Sequence, residues 1–146
     1  MSQIWYLDDA AVGTADIVAT FSDKVRSYMG VVSLTGASAG GPTTHATEIQ
    51  LVGDDTSATQ ASIDLETTEA GSFVIAAYTQ NSGNGFPYNP ISMTDLYRAD
   101  SGSSASAAGY QIQRNSGTKS YTWEASDGHV MHTSNAVAIA SFSAAP

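Results

Sequence analysis

The chain has 146 residues, of which 42% are apolar and 13% charged, so it fits one domain (residues 1–146) that can bury its own core. Fourteen Asp and Glu against five Lys and Arg give a net charge of −9, which argues against nucleic acid and anionic membranes as partners. Cysteine is absent, which excludes disulfide, zinc-finger and thiol chemistry, and no apolar run reaches the ~20 residues of a membrane span.

Short runs with a two-residue alternation of apolar and polar side chains predict β-strands along the whole chain, and no run predicts a helix. Three of the predicted strands fall in the first 35 residues, at 4–7, 16–21 and 25–35. Seven more follow, at 48–52, 62–66, 73–78, 93–97, 109–113, 121–124 and 137–142. The Ala- and Ser-rich residues 103–108 are predicted to form a loop, because glycines flank them.

Turn-forming Gly, Pro, Asn and Asp separate these runs at short intervals. Many short strands with regular turns predict an all-β fold, an antiparallel jelly-roll-type β-sandwich of about eight strands. Two predicted loops, 37–47 and 81–90, are longer than hairpin turns, and long loops often carry function.

Aromatic side chains are the first candidates for a binding surface. Phe86 and Tyr88 lie in a loop that Pro87 and Pro90 stiffen, and a stiff loop loses little entropy on binding. That loop suits contact with a protein or stacking against a sugar, or it folds down over its own core. Together with Trp5 and Tyr6, these two aromatics are the candidate partner-binding residues.

Two neighbouring carboxylates, Asp54 and Asp55, are the candidate calcium ligands, since calcium prefers oxygen donors. The full Asp-x-Asp-x-Asp-Gly calcium loop is absent, and the same residues suit a plain turn. No other cofactor is expected. His129 and His132 would point to opposite faces of a strand, which disfavours a metal pair.

Enzyme chemistry is not expected from this sequence. Asp64 and Glu66 share a strand face, as the two carboxylates of a glycosidase would, yet their alternation with Ile63 and Leu65 favours a solvated face. Ser38 sits between glycines but lacks the strand-to-helix setting of a nucleophile elbow.

Several segments taken together resemble a known group of domains. They are residues 4–7 (Ile-Trp-Tyr-Leu), 13–22, 30–36, 71–75 and 138–142. In order and pattern they are similar to jelly-roll domains of tailed-phage structural proteins and bacterial surface proteins. These are strand and turn patterns, so the resemblance implies a fold and assigns no functional residue.

Such domains usually have two or three further strands before the Ile-Trp-Tyr-Leu segment. A chain that starts there is expected to leave sheet edges and part of a core open, which a partner covers. The alternative is a smaller sandwich that closes on itself.

The resemblance, this expected gap, the acidic surface and the absence of a signal peptide favour a structural or decoration protein on the outside of a phage-like virion. It would bind other virion proteins or copies of itself, as a homo-oligomer, with a trimer favoured by capsid symmetry. The alternative is a glycan-binding module of a surface or adhesion protein.

Overall fold

Eight β-strands and no helix form the regular structure of the computed structural model, which describes residues 2–8, 13–14, 16–25, 27–50, 59–81, 88–100, 104–125 and 135–145. The strands are β1 (Thr44–Gln50), β2 (Gln60–Thr67), β3 (Ser72–Asn81), β4 (Tyr88–Pro90), β5 (Thr94–Asp100), β6 (Ser104–Gln113), β7 (Gly117–Ala125) and β8 (Asn135–Phe142).

The strands form two antiparallel sheets. The five-stranded sheet has the order β1-β8-β3-β6-β5, and the three-stranded sheet has the order β2-β7-β4. The predicted all-β antiparallel sandwich of about eight strands is therefore confirmed. Its jelly-roll connectivity stays a prediction.

The core lies between the two sheets and follows from the alternation of side chains along the strands. In the three-stranded sheet, Ile63 and Leu65 of β2 and Trp123 of β7 point inward and are buried. Trp123 stacks on Tyr78 of β3, with 5.8 Å between the ring centroids. The Tyr78 hydroxyl donates a hydrogen bond of 2.7 Å to Oε1 of Gln80, so this deep pair is polar as well as aromatic.

Tyr121 of β7 is a buried phenol of the core between the sheets. Burial raises its pKa above the usual value of 10.0, because the phenolate would lose its hydration. Its hydroxyl lies 3.4 Å from Oε1 of Gln113, to which it donates, and the Lys119 ammonium sits 5.7 Å from its ring centroid. The neutral phenol is the form that this site favours.

Several predicted elements are wrong in position. The described residues of 4–7, 16–21 and 25–35 form no strand, because no neighbouring strand pairs with them. Conversely, residues 104–108 are not a loop but the first half of β6, held between β3 and β5. The predicted loop at 37–47 overlaps β1, which begins at Thr44. The predicted loop at 81–90 overlaps the end of β3 and all of β4.

Candidate functional site

The outer face of the five-stranded sheet, which points away from the core, is apolar rather than polar. Val74, Ala76 and Tyr78 of β3 face the core, so Phe73, Ile75, Ala77 and Thr79 face outward. The strand register aligns further outward residues with them, namely Ala136, Ala138, Ala140 and Phe142 of β8 and Ser106, Ala108, Tyr110 and Ile112 of β6. Most are small or apolar, which is the pattern of a sheet face covered by another layer.

The cover comes from the first 35 residues, which we call the N-terminal segment (described residues 2–8, 13–14, 16–25 and 27–35). Ala108, Ala138 and Ala140 are buried although they do not belong to the core between the sheets. Small side chains let an unpaired backbone approach the sheet closely.

Residues 2–8 run down one side of this face. We define the upper end of the sheet as the end where β3 finishes and β6 begins. There, Ser2 Oγ donates a 2.9 Å hydrogen bond to the Ala136 carbonyl and lies 2.8 Å from Thr79 Oγ1. Near the lower end, the Gly40 amide donates to Asp8 Oδ2 at 3.0 Å. The Tyr6 ring covers the α-carbon of Gly41, a residue with φ of 85°.

Residues 28–35 run down the other side. The Tyr28 hydroxyl donates a 3.1 Å hydrogen bond to the carbonyl of Ser104 at the upper end. Gly30 lies against the Tyr97 ring, and Leu34 reaches Phe73 and Ile112 near the lower end. Ser104 and Ile112 are eight strand residues apart, about 26 Å. Residues 28–34 span at most about 22 Å when fully extended, so the backbone must be nearly extended and the Tyr28 side chain supplies part of the reach.

Residues 16–25 lie between these two stretches in the chain and are exposed throughout. Their backbone makes no hydrogen bond to the backbone of any other described residue. Backbone hydrogen bonds hold the chain just after residues 28–35, where Ala145 N donates to Gly36 O at 2.8 Å and Ser38 N donates to Ser143 O at 2.9 Å.

Exposed apolar side chains concentrate in the N-terminal segment. Among the described residues, it holds ten of the twelve large apolar side chains that are exposed: Trp5, Tyr6, Leu7, Ile17, Val18, Phe21, Val25, Met29, Val31 and Val32. Ile91 and Ile112 are the other two. These ten residues together expose on the order of 1,000 Å².

An apolar cleft of about 210 Å³ opens at the lower end of the outer face. Phe73, Ile112 and Phe142 form its floor, and Leu34 with residues 35–37 forms one wall. The N-terminal segment thus helps to build this cleft, which can accept one apolar side chain.

The outer face of the three-stranded sheet has the opposite character. Ser62 and Thr122 share a hydrogen bond of 2.9 Å across β2 and β7, and Ser120 donates to Asp64. Gln60 donates to Glu124 at 3.1 Å. Asp64 and Glu66 are exposed on this face, as their alternation predicts.

The predicted site residues divide into two groups. Trp5 and Tyr6 belong to the N-terminal segment, and Trp5 is 85% exposed. Phe86, Asp54, Asp55, His129 and His132 lie outside the described residues, as does the side chain of Tyr88. Within the described ranges, no group of three or more His, Cys, Asp or Glu side chains could hold a metal ion.

Sequence reasoning missed the residues that hold the N-terminal segment in place. These are Tyr28, Gly30 and Gly41. A glycine inside a predicted strand is a known signal for close approach of another group, and Gly30 lies within the strand predicted over 25–35. That signal could have indicated a contact, but not its partner Tyr97.

Comparison with known proteins gives no relative: no family model, no curated protein and no solved structure matches the chain. In the part of the chain that the structure describes, no helix is long and apolar enough to cross a membrane.

Proposed function

We propose that this protein is a structural protein of a phage-like virion, decorating its exterior by protein–protein binding. The observation that carries the proposal is the N-terminal segment, which lies over an apolar sheet face and presents ten large apolar side chains to solvent. Large apolar side chains that are exposed together in one segment are typical of a surface that contacts another protein.

The charge distribution supports a role in binding protein. The chain carries a net charge of −9, whereas residues 13–35 carry Asp16, Asp23, Lys24 and Arg26, and are neutral in sum. An acidic surface keeps the rest of the molecule soluble and repels other acidic molecules. Residues 13–35, the neutral part of the N-terminal segment, are therefore the part of the chain best suited to contact another protein.

The choice of a virion rests on the resemblance to jelly-roll domains of tailed-phage structural proteins. Three of the five stretches that carry it, 4–7, 13–22 and 30–36, lie in the N-terminal segment or reach its end, whereas 71–75 and 138–142 belong to the five-stranded sheet and its approach. The glycan-binding alternative depends on Phe86 and Tyr88, whose side chains lie outside the described residues, so it stays a prediction without structural support.

The test is to locate the protein. An antibody raised against the purified chain is applied to phage-like particles that are banded on a density gradient from the culture producing it. The expected result is that the protein bands with the particles and that immunogold electron microscopy labels their outer surface. The gradient fractions without particles serve as the control.

Two results would contradict the proposal. Protein that stays at the top of the gradient, with unlabelled particles, would exclude a virion component. Label on the cell surface rather than on particles would favour the bacterial surface module, and titration of Trp fluorescence with mixed polysaccharides would then test glycan binding.

A further inference from the structure

The N-terminal segment and the eight strands are held by different kinds of contact. Backbone ladders join each strand to its neighbours, and β3 is paired with β6 and with β8 along most of its length. Residues 4–8 and 27–35, in contrast, make no backbone-to-backbone hydrogen bond to any other described residue. Side chains make the hydrogen bonds of this segment instead, at Ser2, Asp8 and Tyr28.

The N-terminal segment also buries little of itself. Ser2, Ile4, Tyr28 and Leu34 are half-buried, and every other described residue of the segment is exposed. A part of a protein with few buried side chains and no backbone ladder opens at a much lower free energy than the core does. The contacts between this segment and the sheet are therefore the first that we expect to break.

The sheet face under the N-terminal segment is nevertheless well covered. Ala108 of β6 is 3% exposed and Ala138 of β8 is 2% exposed, although neither belongs to the core between the sheets. Gly30 lies against the ring of Tyr97, which is the strand neighbour of Ala108 in β5. Ser2 donates to a carbonyl of β8 two residues before Ala138. Weakly held chain thus hides strongly buried alanines.

Backbone pairing begins directly after the N-terminal segment. Gly36 and Ser38 make backbone hydrogen bonds to the residues that follow β8, and Ala37 forms a bridge with Ala144. These contacts tie the chain to the end of β8 before β1 begins at Thr44. The chain before residue 36 can therefore leave the sheet without breaking any pair of the described strands.

We propose that the N-terminal segment is a releasable cover, which leaves the outer face of the five-stranded sheet while the eight strands stay paired. The protein then exchanges between a closed form and an open form. The open form exposes small apolar side chains that the closed form buries, among them Ala108, Ala138 and Ala140. This proposal goes beyond the proposed function and does not depend on it, because it concerns an equilibrium within one chain.

Thiol labelling measures this equilibrium, because the chain has no cysteine of its own. Ala108→Cys and Ala138→Cys each place a single thiol under the N-terminal segment. Ala107→Cys is the matched control, since Ala107 is the preceding residue of β6, is 1% exposed and faces the core. A buried thiol reacts with a soluble disulfide reagent only when the structure around it opens.

The two outer-face thiols should react at least about a hundredfold faster than the core thiol, when each rate is divided by that of the same variant unfolded in urea. Their rates should change little at low urea concentrations, because release of the segment exposes little surface, whereas labelling of the core thiol should follow complete unfolding. Circular dichroism should report an intact fold in each variant. Ala76→Cys, on the core face of β3, is the core control if Ala107→Cys does not fold.

A further substitution tests whether the N-terminal segment is the part that moves. Tyr28→Phe removes the hydrogen bond to the Ser104 carbonyl and should accelerate the labelling of Ala108→Cys about two- to tenfold. Tyr110→Phe is the matched control. Tyr110 lies on the same outer face, but its hydroxyl makes no hydrogen bond to a described residue, so the labelling rate should stay unchanged.

Three results would overturn the proposal. Outer-face thiols that share the rate and urea dependence of the core thiol would mean that the segment and the sandwich open together. Outer-face thiols that react as fast as in the unfolded chain would mean that no closed form exists. Labelling of Ala108→Cys that Tyr28→Phe leaves unchanged would mean that another part of the chain moves. None of these results bears on the virion role, which the location of the protein tests.

Discussion

Gly30 lies so close to the ring of Tyr97 that a Cβ at residue 30 would come within 2.5 Å of it. The ring cannot withdraw without cost, because the Tyr97 hydroxyl shares a 3.1 Å hydrogen bond with Ser106, whose own hydroxyl lies 3.1 Å from the Tyr78 carbonyl. This contact fixes residues 28–35 over β5 and β6 at a point between their anchors at Tyr28 and Leu34.

Replacing Gly30 with alanine should therefore lift this stretch from the sheet. Gly30 has no positive φ, so the substitution adds a methyl group without backbone strain. Hydrogen exchange of amides 28–35 should accelerate, while the free energy of unfolding changes by less than about 1 kcal/mol, since the core is untouched. Ser33→Ala is the control and should leave exchange unchanged. Unaltered exchange in Gly30→Ala would show that the stretch is held elsewhere.

The two faces of β3 should respond differently to added volume. Ala76 points into the core and is fully buried, whereas Ala77 is half-buried on the outer face, in register with Ala108 and Ala138. Ala76→Leu should cost about 1–3 kcal/mol or more, because a packed core cannot accept the extra atoms. Ala77→Leu should cost less and instead make residues 2–35 more sensitive to a protease.

Urea unfolding and limited proteolysis of both variants measure these effects. Equal losses of stability in the two variants would mean that the N-terminal segment packs as rigidly as the core does.

The contributions of Tyr78 and Gln80 to stability should be strongly coupled, because the two side chains share a buried hydrogen bond. Tyr78→Phe removes the donor to a buried amide oxygen, and Gln80→Leu removes the acceptor of a buried hydroxyl, so each should cost about 1–3 kcal/mol. The Gln80 Nε2 atom is buried without a hydrogen-bond partner among the described residues, and Leu removes that atom too. The double variant should therefore lose less than the sum of the single losses. Strict additivity in denaturant unfolding would contradict the coupling.

Alkaline pH should destabilise the fold through Tyr121. Its pKa is raised in the folded state, so the unfolded chain releases this proton more readily. The contribution of the neutral phenol is fully present below the ordinary value of 10.0 and is lost as the pH rises through the higher folded-state pKa. Unfolding free energies measured from pH 8 to 12 should fall above pH ~10, and they should fall less steeply in Tyr121→Phe. An identical slope in both proteins would exclude this origin.

The sequence predicts a strand correctly only where a second strand is available to pair with it. Residues 62–66 and 121–124 alternate cleanly, and they pair with each other as β2 and β7. Residues 16–21 also alternate, apart from Val18, and pair with nothing described. Alternation reports the tendency to form a strand with one apolar face, but pairing is a property of two segments. The pattern alone therefore could not separate these cases.

At residues 104–108 the composition predicts a loop where the structure has a strand. Their serines and alanines suggest a loop, yet Ala105 and Ala107 face the core, and Ser106 and Ala108 face the covered outer side. Small residues are needed there because the strand is enclosed on both faces. The chemistry of Trp5 and Tyr6 indicates a binding role that stays a prediction, whereas the anchoring contacts of Tyr28, Gly30 and Gly41 join residues distant in sequence and could not be predicted from the pattern.

The placement of residues 36–38 beside 143–145 also determines the order in which contacts break when the two ends of the chain are pulled apart. Ala37 and Ala144 bridge at the lower end, where β1 begins at Thr44 and β8 ends at Phe142. A pull between residues 2 and 145 would first peel away the side-chain contacts of the N-terminal segment, releasing up to about 120 Å of slack chain. The force would then act on β1 and β8 at the same end of the pair and would break the hydrogen bonds between them one after another. The protein should therefore unfold at low force when it is pulled between its two ends.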